Sequence, residues 1–562
     1  MAESQPQAPI AAIDPAGEIR VFVLDPGSGN DKLQGRFEVV TFDPDTRRPF
    51  PGSVEWVALS YVWGGQSPTE QIQIDNGPRS VTPNVVSMLR DLRRPDEPRN
   101  VWIDSICINQ SDDDEKAQQV GIMLQVYQNA TSVIIWLKEH RTEIRASLAA
   151  SKWMKNLLSR QETFPESATG SLQRCFDVYC KAKEMYFQNS RPVVRLLSNT
   201  WFSRVWIIQE AAVARELFVS MDGELLPWDT LVNLGLRFAP DLKAHKALSL
   251  PLSEFYRHCL SSLAETEAGR GVSMIYLVQR LRNVQQASAR MLPPSELAHL
   301  AVGRRATIPH DMIYAMNGLF RLWASHFPIS VDYKFTSAEE VFQEFSVNCI
   351  EHEQNLDVLS QIRYRSRADE GSSGLWGRLP SWAMDWSAES IGWYQQASPP
   401  ANALAPPFAS PLSSPYEVLC DRRGQVLRLR GFIVDEMGLP PYSAGAPEVS
   451  AERLEEINRL PRLWRDGDRP HSETDLGDKF MPHGTKSGGV VFTFGYESFR
   501  GAIVCYLVGS RHPIVLSRAC RRHGADQYRI EFGTCIMEGF EDGKGVEKAL
   551  EMGLQMHDIL IV

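Results

Sequence analysis

Residues 101–137, VWIDSICINQSDDDEKAQQVGIMLQVYQNATSVIIWL, restrict the fold more than any other stretch of the chain. An apolar strand, Val101-Trp102-Ile103, ends at Asp104 and gives way to a polar turn through Cys107, Ile108, Asn109 and Gln110. Asp112, Asp113 and Asp114 follow as helix-capping side chains, because a carboxylate there accepts the unpaired N–H groups of a first turn. Glu115 adds negative charge to the same turn, where it is expected to pair with the helix N-terminus. Val120, Met123, Tyr127 and Ala130 then recur at helical spacing, and 132–137 reads as a second buried strand. Strand, polar loop, helix and strand make one βαβ unit. Its right-handed crossover predicts a parallel sheet with the polar loop at the carboxyl edge, where open α/β sheets bind ligands.

The flanking sequence extends this unit. Segments 18–24 and 36–42 alternate like strands and lead into a strand at 56–61. Asn76-Gly77 between 71–75 and 79–81 is a hairpin signal. Thr82-Pro83-Asn84 starts a helix through Leu92, with Val85, Met88, Leu89 and Leu92 on one face. A long, mainly helical insertion is expected at 138–200, then a helix over 201–215 and a strand over 217–221. The reading is therefore an α/β domain over 20–225 and a mainly helical region over 226–395. A Pro/Ala/Ser linker at 396–415 (QASPPANALAPPFASPLSSP) buries too little to form a core. Short Gly-bounded strands over 416–562 suggest a small β-rich module.

Composition limits the partners. A chain of 562 residues exceeds one core, and 43% hydrophobic with 23% charged residues is ordinary globular composition. A net charge of −10 and the lack of a long Lys/Arg run argue against nucleic-acid binding, and the basic clusters at 90–94 and 518–522 read as solvated faces. No leader-like or membrane-spanning apolar run is evident, so a cytoplasmic protein with no membrane contact is expected. The nine cysteines (107, 175, 180, 259, 349, 420, 505, 520 and 535) form no C-x-x-C pair and have no histidine at zinc spacing, so reduced thiols and no metal are expected.

Three blocks carry a resemblance: ALSYVWGG (58–65), WIDSICINQSDDDE (102–115) and WFSRVWIIQEAAVA (201–214). In order and type they resemble the signature blocks of the fungal heterokaryon-incompatibility (HET) domain, strongly over 20–225. The likeness extends more weakly through DMIYAMNGL (311–319), LPSWAMDW (379–386) and IVLSRACRRHGADQYRI (514–530). The alternation of strands and helices over 56–221 is that of a flavodoxin-like sheet, and it also resembles the Toll/interleukin-1 receptor (TIR) domain. In that family the first strand ends in a Ser/aromatic/Gly turn, as Ser60-Tyr61-Val62-Trp63-Gly64 does here, and the second ends in an acidic residue, as Asp104 does. The TIR Trp-Cys-x-x-Glu element, which holds the glutamate of NAD-cleaving members, is matched by Trp206-Ile207-Ile208-Gln209-Glu210. The cysteine is replaced by Ile207, and 138–200 interrupt the pattern.

The TIR resemblance implies a site. Cleaving a nicotinamide–ribose bond builds an oxocarbenium-like centre that a nearby carboxylate stabilises. Glu210 would be that carboxylate, Tyr61, Trp63 and Trp206 the walls, and Ser60, Gly64, Asp104, Asn109 and Gln110 the substrate-binding groups. NAD would be a substrate, with no bound cofactor. Structural readings stand beside these: Trp63 and Trp206 as core anchors, Asp104 as an Asx cap, and Glu210 paired with Arg204 or Arg215. Cys107 lacks a nearby histidine arrangement and is not read as a nucleophile. The HET resemblance implies a nonself-recognition, cell-death effector with a protein partner or self-association through this domain. Two alternatives remain open: a non-catalytic interaction module, and a HET scaffold recruited as a biosynthetic enzyme acting on a small apolar molecule.

Overall fold

The computed structural model describes residues 10, 12–75, 77–138, 194–221, 224–238, 267–287, 292–362, 375, 378–387, 426–437, 480–486, 490–494, 501–510, 512–522, 525–532, 535–537, 540 and 545–562. The chain divides into two compact units, one over 1–249 with 258–290 and one over 250–257 with 291–562.

The first unit is built on a mixed sheet. Its strands are β1 (Glu18–Leu24), β2 (Gln34–Thr41), β3 (Val57–Tyr61), β4 (Glu70–Ile74), β5 (Gly77–Val81), β6 (Arg99–Trp102), β7 (Ser132–Trp136), β8 (Leu217–Met221) and β9 (Glu224–Pro227). Among the described residues they lie in the order β5-β4-β2-β1-β6-β3-β7-β8-β9. The four inner strands β6, β3, β7 and β8 run parallel. Taken in chain order, these four lie 2-1-3-4, the flavodoxin-like arrangement, with the topological switch beside β3. The expectation of a parallel sheet therefore holds for the centre only. β1 pairs antiparallel with β6, β2 with β1, and β9 with β8, so both flanks carry antiparallel strands. The alternating patterns at 18–24 and 36–42 gave strands but no direction, because a period of two is common to both kinds of ladder.

The helices of this unit are α1 (Pro83–Leu92), α2 (Asp104–Cys107), α3 (Asp113–Asn129), α4 (Ile207–Ala212), α5 (Asp229–Phe238) and α6 (Glu267–Gln286). α3 begins where the acidic run predicts: Asp112 is the N-cap, and its Oδ1 accepts from Asp114 N and Glu115 N, both at 3.1 Å. The helix expected over 201–215 is instead a 3₁₀ turn (Thr200–Ser203) followed by the short α4. The break falls at Arg204, whose backbone is extended and whose side chain reaches back to the Tyr61 carbonyl. α6 packs on the segment before that turn so closely that a Cβ on Gly271 would lie 1.9 Å from the Leu197 carbonyl oxygen.

The second unit holds α7 (Pro294–Ala301), α8 (Asp311–Tyr314), α9 (Asn317–Trp323) and α10 (Ala338–Glu353), then a β-rich part. α10 opens with a capping box, Ser337 and Glu340 bonding each other's backbone N–H. Strands β10 (Leu427–Glu436), β13 (Ile503–Leu507), β14 (Ile514–Arg522), β15 (Ala525–Phe532) and β17 (Met556–Ile561) close into a barrel. β11 (Phe480–Gly484), β12 (Val490–Phe494) and β16 (Ile536–Met537) form a small separate sheet, and α11 (Gly545–Glu551) precedes β17. Phe432, Val504, Tyr506 and Val515 are among the buried side chains of its core. The strand-rich C-terminal part is thus as expected. The helices of 226–395 divide between the units, α5 and α6 falling in the first and α7 to α10 in the second. The 396–415 linker and most of the 138–200 insertion lie outside the described residues.

Candidate functional site

β3 delivers Ser60 and Tyr61 to the carboxyl edge of the parallel strands, at the switch in strand order. The chain then turns through Gly64 and Gly65, both in the left-handed region (φ 74° and 61°), which glycine adopts without steric cost. Asn84, at the start of α1, holds that turn by donating from Nδ2 to the Val62 carbonyl at 3.1 Å.

Two hydrogen-bonded groups of side chains lie next to each other at this edge. Trp201 Nε1 donates to Ser60 Oγ at 2.8 Å, and Ser60 Oγ donates to Glu210 Oε2. Arg204 Nη1 donates to the Tyr61 carbonyl. Tyr61 OH donates to Ser105 Oγ at 2.7 Å, and Ser105 N donates to Asp104 Oδ1 at 2.7 Å. Trp63 Nε1 donates to Asp104 Oδ2 at 2.9 Å, and Gln110 Nε2 donates to the Asp104 carbonyl at 3.1 Å. Two carboxylates, one guanidinium and three indole or phenol groups thus meet at the end of one strand. Ser60, Tyr61 and Glu210 are 1–2% exposed, whereas Trp63 is 38% exposed and forms the open side.

Burial sets the electrostatics. Removal from water raises the Glu210 carboxyl from 4.5 to about 7, against the pull of Arg204 and of the Ser60 hydrogen bond, and the charge of Asp104 pushes the same way as burial. Burial also raises Asp104, with Arg204 and the Trp63 N–H opposing. Tyr61 is raised well above its ordinary value, first by burial and then by Asp104. Glu210 near neutrality can hold or release a proton at physiological pH, a property suited to acid–base or charge-stabilising work.

Of the residues expected to gather here, Ser60, Tyr61, Trp63, Asp104, Gln110 and Glu210 belong to these two groups, and Gly64 forms the adjoining turn. Asn109 lies in the adjoining loop with its side chain engaged locally: Oδ1 accepts from Ser111 Oγ at 2.8 Å. Trp206 is half-buried at the start of α4, where its carbonyl accepts from Glu210 N at 3.2 Å. Arg215 points elsewhere, donating from Nε to the Gln128 carbonyl at 3.1 Å, so the cation near Glu210 is Arg204. Sequence reasoning did not assign Ser105 or Trp201 to the site. Their adjacency to Asp104 and their place in the Trp-rich block were the only signals available.

Two neighbours are structural. Glu115 forms a buried, two-pronged ion pair with Arg20 (2.6 and 3.0 Å) and accepts from Asn109 N at 2.7 Å, which fixes the loop leading into α3. Cys107 is fully buried and its thiol is pushed up to about 12, so it carries no thiolate near neutrality. Among the described residues no group of three or more His, Cys, Asp or Glu could hold a metal ion, and no helix is long and apolar enough to cross a membrane.

No solved structure matches the chain. It is 26% identical over 482 residues to heterokaryon incompatibility protein 6, OR allele, of Neurospora crassa, covering 76% of this chain. The chain spans about 65% of the length of that curated relative. The family model described as heterokaryon incompatibility protein (HET) matches residues 56–210, from the threshold of β3 to the glutamate of the cluster. Residues 56–210, the core of the α/β unit, are therefore similar to the heterokaryon incompatibility (HET) family.

Proposed function

We propose that this protein is an effector of heterokaryon incompatibility whose HET domain acts at the Ser60–Glu210 cluster, and that it does so in a TIR-like manner on a nicotinamide nucleotide. One observation carries the catalytic part: a buried glutamate, titrating near neutrality and held by Ser60, at the switch point of a 2-1-3-4 parallel sheet. In this reading the bond from the ribosyl carbon to the nicotinamide nitrogen breaks and its electron pair leaves with the ring. Ionised Glu210 offsets the charge left on the ribosyl carbon until water adds. The cationic nicotinamide ring itself favours the ionised carboxylate. Trp63, the open aromatic wall, stacks against the base.

A second reading has its own support. At 2% exposure Glu210 is shut from solvent, which favours a cluster that stiffens the edge while Trp63 and the loop beyond it dock a protein partner. Nicotinamide release from NAD by purified protein separates the two. The catalytic reading expects turnover in wild type and a loss of about a hundredfold or more in Glu210→Gln, the scale of losing a preorganised electrostatic group. Absence of turnover in a folded wild type leaves the docking reading.

A further inference from the structure

A polar cavity lies at the opposite edge of the parallel sheet from the Ser60–Glu210 cluster. It has a volume of about 380 Å³, within the range of small-molecule sites, and gathers Arg47, Arg48, Arg215 and Arg282 with the side-chain amides of Gln128, Gln285 and Gln286. α3 ends at Asn129 and α4 at Ala212, just before β7 and β8, which puts the cavity at the amino edge, away from Ser60 and Asp104. No acidic and no aromatic residue lines it.

Part of this positive charge is explained by the helix ends. Arg282 Nη1 donates to the carbonyls of Ala211 (2.9 Å) and Ala214 (2.7 Å), and Arg215 Nε donates to that of Gln128. Those two arginines answer the negative ends of α4 and α3. Arg47 and Arg48 are left over. Both are exposed, and neither guanidinium has a partner among the described residues. Arg47 also occupies a left-handed backbone position (φ 57°), which few non-glycine residues take. The nearby carboxylate of Asp43 is turned into its own loop, where it accepts from Asp45 N and Thr46 N at 2.8 and 2.9 Å. In a chain of net charge −10, a cavity lined by four arginines and no carboxylate is a local reversal of sign.

We infer that this cavity binds a compact, multiply charged phosphate compound. Arginine forks match phosphate oxygens in pairs, and side-chain amides suit the hydroxyls of a polyol. With no aromatic surface to stack a base, the cavity reads charge density, not a nucleobase, so pyrophosphate or a polyphosphorylated polyol fits better than a nucleotide.

The test is titration calorimetry of the full chain with inorganic pyrophosphate, phytate and ADP at low salt. Wild type should bind pyrophosphate and phytate at one site, with affinity falling as salt rises. Arg47→Gln and Arg48→Gln remove exposed groups that hold no backbone carbonyl through their side chains, and each should weaken binding about tenfold or more. Arg90→Gln, an exposed arginine outside the cavity, should leave binding unchanged. Failure of millimolar pyrophosphate and phytate to bind, undiminished binding in the Arg47/Arg48 double variant, or equal weakening by Arg90→Gln would each overturn the assignment. ADP binding far more tightly than pyrophosphate would overturn the choice of a compact phosphate.

Discussion

Replacing Glu210 with glutamine should flatten the pH dependence of stability of the α/β unit. The carboxyl is 2% exposed and burial raises it from 4.5 to about 7. The folded protein therefore binds this proton more tightly than the unfolded chain does. The associated stability is fully present below about pH 4.5 and is lost as pH rises through about 7. A rise of that size corresponds to about 3 kcal/mol. Glutamine has no such proton, so between roughly pH 5 and 8 the variant should lose about 3 kcal/mol less than wild type. Asp104, also raised, stays in both proteins and leaves a common residual slope. Urea melts across this range, read by hydrogen exchange of peptides from β3 and β7, report the α/β unit separately from the rest. Parallel wild-type and variant curves would refute the reasoning, since they would mean that water reaches Glu210 in solution.

Three other outcomes follow from packing and burial. Arg20→Met strands the buried Glu115 carboxylate and should cost about 3–5 kcal/mol in urea melts, the range for half of a buried ion pair. Gly271→Ala sets a methyl group against the backbone of Leu197, which has no rotamer to move, and should lower stability by about 1–3 kcal/mol despite alanine's better helix propensity. Cys107, Cys349, Cys505 and Cys535 are buried with raised thiol pKa values and should stay unlabelled by a thiol reagent at pH 8, as peptide mapping would show.

The central sheet was legible because each parallel strand is a short apolar run bounded by polar turns, and because Asp112 announces its helix. The antiparallel flanks were not, since the strand patterns at β1 and β2 say nothing about strand direction or neighbours, and β1, which the sequence reads as alternating, is buried on both faces. The break near Arg204 was hidden for a related reason. A helical pattern runs on through the block 201–214, and only the tertiary pull of the Tyr61 carbonyl shows where it stops. Ser60, Asp104 and Glu210 could be named as site candidates from the blocks they sit in. That Trp201 bonds to Ser60, and that Ser105 links Tyr61 to Asp104, is information carried only by the folded edge.

The bond from Ser60 to Glu210 joins positions 150 residues apart, and the one from Trp201 to Ser60 joins positions 141 apart. Parallel strands cannot meet through a tight turn, so this edge closes only after long loops have been drawn together, a slow kind of ordering. A ribosome extending the chain exposes β3, β6 and β7 well before it supplies Trp201 or Glu210. Truncated or nascent products that stop short of residue 201 therefore lack both the indole and the carboxylate. Any activity that depends on the assembled edge is withheld from partial chains by the order of synthesis alone, without a separate inhibitor.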